Sequence, residues 1–195
     1  MSRRALPAAA VALVLAVSAC GSGDGSSHGS MSGADGTSAS STAGTATGAE
    51  ADVEFAQMMI PHHVQAVEMA TLALENDTAS EDVKALARQI EAAQDPEIQT
   101  MKGWLAQWGA SESSGPMDHG SGGMMSDQDM SALMGASGPE FNQMWLEMMI
   151  EHHQGAITMA RDVLATTADP EVERLATAVV EGQEKEIATM QGMLG

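Results

Sequence analysis

The sequence predicts an all-α protein, a four-helix bundle built from two repeated helical hairpins, and three observations lead there. The first is self-similarity. Met58-Met59-Ile60-Pro61-His62-His63 recurs ninety residues later as Met148-Met149-Ile150-Glu151-His152-His153, and the match continues through Ala66/Ala156 and Met69-Ala70/Met159-Ala160. Further along, Gln94, Glu97, Ile98, Thr100, Met101, Gly103 and Leu105 return at a shift of 89 as Gln183, Glu186, Ile187, Thr189, Met190, Gly192 and Leu194. One loop deletion reconciles the two shifts. The second observation is composition: both copies are rich in Ala, Met, Leu, Glu and Gln, with apolar residues at helical spacing and no strand signal. The third is a polar break inside each copy, at Asn76 to Ser80 and at Thr166 to Pro170. A hairpin with an apolar stripe needs a second stripe to close a core, so two hairpins make a four-helix bundle.

In chain order, residues 1–19 read as an export signal. Arg3 and Arg4 give a positive start, Leu6 to Val17 an apolar stretch too short to span a bilayer, and Val17-Ser18-Ala19-Cys20 a small-residue cleavage site. That last motif resembles the bacterial lipobox, which predicts a lipidated Cys20; it is the chain's one cysteine. Residues 20–49 then form a Gly/Ser/Thr linker with little to bury, a tether whose ends would lie roughly 30 Å apart. The bundle follows over 50–195: repeat one over 50–110, a Met/Gly-rich connector over 111–137 and repeat two over 138–195. Ser80-Glu81-Asp82 opens one second helix with a cap and two acids, and Asp169-Pro170 opens the other with a cap followed by proline. Pro61 predicts a kink before the first histidine pair. Inside the connector, Asp127 to Met134 predicts a short helix.

Removal of the signal leaves 6 basic residues against 27 acidic ones, a formal charge of −21. Nucleic acid is therefore not an expected partner. Such charge favours solubility and concentrates cations at the surface.

The chemistry is concentrated in the repeated motif. Met59 lies one helical turn before His63 and Met58 one turn before His62, making two Met/His columns about 100° apart; Met149/His153 and Met148/His152 repeat them. Ala66, Ala70 and Leu74 continue the His63 stripe, so His63 and His153 are the expected inward pair, with the other column flanking the core or facing a neighbouring helix. Counting outward from turns near residues 78 and 168 sets His63 and Met59 level with Gln94 and Glu97, and His153 and Met149 level with Gln183 and Glu186. His, Met, Gln and Glu from four helices thus share one slab. The expected metal ligands are His62, His63, His152, His153, Met58, Met59, Met148, Met149, Glu97, Glu186, Met101 and Met190. Any one of these could be an ordinary core or surface residue; a duplicated imidazole pair with matching methionines and carboxylates exceeds what a core needs. Thioether selects soft ions, so copper, as Cu(I), is favoured, with zinc or iron open through the imidazoles. Met117, His119, Met124 and Met125 in the connector, with His28 and Met31 in the linker, supply auxiliary soft ligands on flexible chain.

Over residues 50–195 the chain resembles the bacterial family called domain of unknown function 305. The matching residues are Asp52, Phe55, Met58-Met59-Ile60-Pro61-His62-His63, Ala66, Met69-Ala70, Gln94, Glu97-Ile98, Met101 and Trp104-Leu105. In the second copy they are Gly138, Phe141, Met148-Met149-Ile150, His152-His153, Gly155-Ala156, Met159-Ala160, Gln183, Glu186-Ile187 and Met190. The resemblance implies a ferritin-like fold and, in some exported members, copper binding. Asn142 departs from the family's usual Asp, while Asp52 keeps it in the first copy; helix capping is an adequate role for that carboxylate. Three functions compete: a non-catalytic copper binder for storage, delivery or resistance, a ferritin-like di-metal oxidase, and a structural or signalling module with a polar core. The oxidase pattern needs Glu-x-x-His on two helices, where this chain has Gln-x-x-Glu. The chain is thus expected to be exported, held at the outer face of the cell membrane, and not an enzyme. Its expected partners are that membrane and metal ions, with a copper-handling protein and a homo-oligomer left open.

Overall fold

A computed structural model describes residues 48–112 and 122–195. The export signal, Cys20, the linker to residue 47 with His28 and Met31, and the connector's Met117 and His119 lie outside the described residues. The described residues form five helices: α1 (Gly48–Glu75), α2 (Glu81–Trp108), α3 (Asp127–Gly135), α4 (Gly138–Leu164) and α5 (Pro170–Leu194). The described part is an all-α bundle, and among the described residues no helix is long and apolar enough to cross a membrane.

The helix ends follow the local chemistry of the sequence. Ser80 caps α2 by accepting from the Val83 N–H at 3.2 Å, and Gly109 closes it in the left-handed region at φ 69°. Asp169 caps α5 by accepting from the Glu171 N–H at 2.7 Å, with Pro170 in the first turn. The short connector helix α3 opens on a reciprocal capping box between Ser126 and Asp129. Helix α1 runs through Pro61 without a break, and α2 does the same through Pro96.

Helices α1 and α2 form one hairpin, α4 and α5 the other, and α1 packs on α4 to join them. Two apolar clusters show the direction of that seam. One gathers Phe55, Met59 and Ile60 of α1 with Ala156, Ala160 and Val163 of α4. The other gathers Ala66, Met69 and Ala73 with Phe141, Trp145 and Met149. The start of α1 therefore meets the end of α4, and the two helices run antiparallel about a pseudo-twofold axis. Trp145, fully buried, ties the seam by donating its Nε1–H to the Met69 carbonyl at 2.8 Å.

Asp52 and Asn142 occupy equivalent places yet neither caps its own helix. Asn142 Oδ1 accepts the Ser80 N–H at 3.0 Å, pinning the first hairpin's turn to α4. Asp52 is the fifth residue of α1, which begins at Gly48, so it lies past the capping positions and is buried with Oδ1 unpartnered.

Replacing Trp145 with Phe removes one buried hydrogen bond and part of a packed ring across the seam. The expected loss is about 1–3 kcal/mol of unfolding free energy in urea at unchanged m-value. An unchanged midpoint would show that the indole does not tie α4 to α1.

Candidate metal centre

The two histidine pairs fall midway along α1 and α4, where these helices cross. All four imidazoles are buried, His62 at 2% exposure and the others at 0%. Both columns are thus buried, and of the two places open to the second column, flanking the core or facing a neighbouring helix, His62 and His152 take the latter. A helix at the centre of this bundle has two neighbours, its hairpin partner and the other hairpin, and adjacent residues 100° apart can each face one. His62 and His152 face each other across the seam, with ring centroids 3.7 Å apart and planes tilted by 39°. His63 and His153 face the second helix of their own hairpin.

There each meets a carboxylate. His63 Nε2 lies 2.7 Å from Glu97 Oε2, and His153 Nε2 lies 2.7 Å from Glu186 Oε2. The duplicated geometry is the same in both repeats. Counting residues sets Glu97 level with Met59, one turn from where it binds. Side chains on a helix lean toward its N-terminus, which in an antiparallel hairpin brings His63 and Glu97 toward one another. The carboxylate accepts, so in the neutral ring Nε2 carries the proton and Nδ1 the lone pair. Nδ1 of His63 and of His153 has no hydrogen-bond partner. A carboxylate on one ring nitrogen with the other free is the arrangement that orients an imidazole for a metal and raises its basicity.

The central pair differs. His62 donates Nε2–H to the Gly122 carbonyl at 2.8 Å, leaving Nδ1 unpartnered, whereas both ring nitrogens of His152 lack a partner. Burial pushes the His62 pKa down to about 4 against the pull of that carbonyl, and His63 and His153 lower it further. Burial, then His62, His153 and His63, hold His152 well below the usual imidazole range. The His62 backbone opposes this without a hydrogen bond of ordinary geometry. Both rings are thus neutral at pH 7. Leaving such buried polar atoms unpaired costs about 1–3 kcal/mol each.

Methionines flank this layer on both sides. Met59 and Met101 are fully buried in one apolar cluster, Met149 and Met190 in the other. Met58 and Met148 are half-buried beside His62 and His152. The equivalent glutamines Gln94 and Gln183 are buried near the same level, each with an unpartnered amide oxygen. Glu97 borders a surface groove of about 260 Å³ with Thr100, Trp104, Glu171 and Arg174, so this carboxylate links the layer to solvent. Among the described residues, no three His, Asp or Glu side chains gather as a metal-binding group. In the connector, Met125 is not on loose chain. It is buried in the core, and its backbone is held by Gln65, a contact sixty residues away that composition does not reveal. Met124 beside it is half-buried.

The family model for "Domain of unknown function (DUF305)" matches residues 52–194. The chain belongs to the DUF305 family. Among solved structures, a DUF305 fragment from Deinococcus radiodurans is 34% identical with a TM-score of 0.69, covering 74% of this chain and 95% of its own. A DUF305 protein from Streptomyces coelicolor, described as a secreted-protein candidate, is 36% identical with a TM-score of 0.69, covering 74% and 90%. CopM in a Cu(I)-bound form is 33% identical with a TM-score of 0.62, covering 73% and 94%, and has also been solved with Cu(II) and with silver. The uncharacterized protein L153 of Acanthamoeba polyphaga mimivirus is 38% identical over 53 residues, which span 35% of that protein. Within this DUF305 chain, the residues forming the histidine layer are among those that recur in both copies.

The central pair predicts a pH-dependent stability in the metal-free protein. His62 titrates near 6.5 when unfolded and about 4 when folded, so the unfolded chain takes the proton first as pH falls. Its contribution is complete above pH 6.5 and is lost on the way down to 4. Between pH 7 and 5 His62 alone costs about 2 kcal/mol, and His152 acts in the same direction. Urea unfolding at the two pH values measures this. His62→Gln should remove a large part of the drop; an equal drop in that variant would assign it to other groups.

Proposed function

We propose that this chain is a non-catalytic, extracytoplasmic copper-binding protein that takes Cu(I) in its histidine layer, for storage, delivery or resistance. The observation carrying this reading is the repeated His–Glu pair. In each hairpin a carboxylate fixes a buried imidazole, leaves its Nδ1 free, and does so one turn from a fully buried methionine. His63 with Met59 and Met101, and His153 with Met149 and Met190, are the soft donor sets that would hold the ion. His62 and His152 lie between them. Glu97 and Glu186 are engaged by imidazole, which suits orientation of the ligands better than direct coordination. Imidazole with thioether, and no thiolate in the folded part, is a Cu(I) set suited to an oxidising compartment. The copper- and silver-bound forms of CopM support the same reading at family level.

A di-metal oxidase would need carboxylates and histidines converging on shared ions. The layer instead pairs each carboxylate with one ring, so binding is favoured over catalysis. The place of action rests on the export signal and on Cys20 as a lipid anchor. Replacing Cys20 with Ser is expected to move the expressed protein from the membrane fraction to the soluble exported fraction, and an unchanged distribution would remove the anchor.

Competitive titration against a Cu(I) chelator tests the copper reading. Met59→Leu/Met149→Leu keeps core volume while removing both thioethers, so the fold should survive at a cost of about 1.5 kcal/mol or less per site. Its Cu(I) affinity should fall tenfold or more, and a variant with His62, His63, His152 and His153 all changed to Ala should lose binding. Wild-type binding no tighter than that of the quadruple variant would overturn the proposal.

A further inference from the structure

The connector re-enters the described structure at Gly122 and runs in the groove between α1 and α4, across the place where His62 and His152 meet. Four contacts hold it. Gly122 accepts the His62 Nε2–H at 2.8 Å. Gln65 grips the Met125 backbone at both ends, its Oε1 accepting the amide N–H at 2.7 Å and its Nε2 donating to the carbonyl at 2.8 Å. The Met125 side chain is buried in the core cluster that contains Trp145 and Met149. On the other side the strap lies against α4 so closely that no side chain fits: a Cβ on Gly155 would sit 1.6 Å from the Gly122 oxygen, and one on Gly123 2.5 Å from the Glu151 oxygen. Gly122 and Gly123 also have φ of 92° and 80°, a region favouring glycine.

Gln65 and Gly155 are equivalent positions, ninety residues apart in the two copies. One repeat carries the side chain that clamps the strap, and the other carries the missing side chain that admits it. The pseudo-twofold makes these two walls of the groove equivalent, but the single strap between them is not symmetric, and the divergence at this position matches that asymmetry. The same asymmetry reaches the rings: His62 has its Nε2 satisfied by the strap, whereas His152 has neither nitrogen satisfied.

We propose that Gln65 and Gly155 are positioning residues that hold residues 122–126 as a clasp on the His62–His152 pair. The clasp fixes His62 with its proton on Nε2 and its lone pair on Nδ1, and it shields both rings from solvent. A consequence for copper exchange rests on the copper reading above: loosening the clasp speeds release of the ion from the layer.

The test compares the full chain with Gly155→Ala, which drives a methyl into the strap, and Gln65→Ala, which removes only the two clamp bonds and spares the helix core. Gln65→Glu keeps the acceptor for the Met125 N–H and should be intermediate. Three readouts are taken: the His62 tautomer from ring ¹⁵N shifts, acylation of each histidine by diethyl pyrocarbonate, and the rate of Cu(I) transfer to a chelator. In both disrupting variants, acylation of His62 and His152 should rise tenfold or more while His63 and His153 change little. The His62 Nε2–H signature should weaken, and Cu(I) transfer should accelerate tenfold or more. A folded Gln65→Ala protein with wild-type acylation and an unchanged His62 tautomer would overturn the clasp, whatever the copper result. Faster acylation in a chain whose wild type binds no Cu(I) would support the clasp and remove the copper reading.

Discussion

Where α1 crosses α4, the His62 and His152 rings meet at 3.7 Å with neither hydrogen-bonded to another side chain. This contact orders the rest of the bundle. It divides the core into two apolar clusters, one around Phe55 and Met59, the other around Trp145 and Met149, each drawing on both hairpins. Neither hairpin can complete a cluster alone, so the layer and the duplication depend on each other. Burial strips the two rings of water and keeps them neutral. Isosteric apolar residues would pack the same crossing without unpaired nitrogens, each of which costs about 1–3 kcal/mol. A polar layer maintained in both copies at that cost is better explained by chemistry than by packing.

Much of the fold was legible in the sequence because its signals are local. Ser80, Asp169 and the Ser126–Asp129 box mark helix starts through the backbone N–H groups they satisfy, which involve residues at most three positions away. The repeat gave the architecture. Residue counting from the turns brought Glu97 and Glu186 to the histidine layer but one turn out of register, since it follows backbone height and not the lean of side chains. The partner of His62 was not legible. That contact depends on how two hairpins cross, and helical periodicity says which residues share a face without saying what the face meets. The strap was equally hidden: its Gly, Met and Ser residues read as loose loop, and its order comes from Gln65, about sixty positions away.

The two copies have diverged where the bundle needs its halves to differ. Asn142 reaches across to the Ser80 N–H, while Asp169, the cap at the equivalent turn, gives its own N–H to Thr167 Oγ1, and Asp52 is left with an unpartnered oxygen. Gln65 and Gly155 diverge around the connector. By contrast His63/His153, Glu97/Glu186, Met59/Met149 and Met101/Met190 keep both identity and burial class in the two halves. Differences collect at the contacts that lock one hairpin to the other, and sameness at the layer itself.

That separation bears on the kind of chemistry the layer can perform. A carboxylate free to bridge two ions would make the site hard and suited to iron; here each carboxylate oxygen that enters the layer is already held by an imidazole at 2.7 Å. What remains available is the second nitrogen of each ring and the sulfur of its neighbouring methionine, donors that are uncharged and polarizable. An uncharged set holds a monovalent soft ion without importing excess negative charge into a water-poor core, where a divalent ion would need more anionic compensation. Glu97 and Glu186, partly exposed at the edge of the layer, would put that compensating charge one imidazole away from an ion held on the free ring nitrogens. On the proposed copper reading, such a donor set would let an ion enter, be held and leave again.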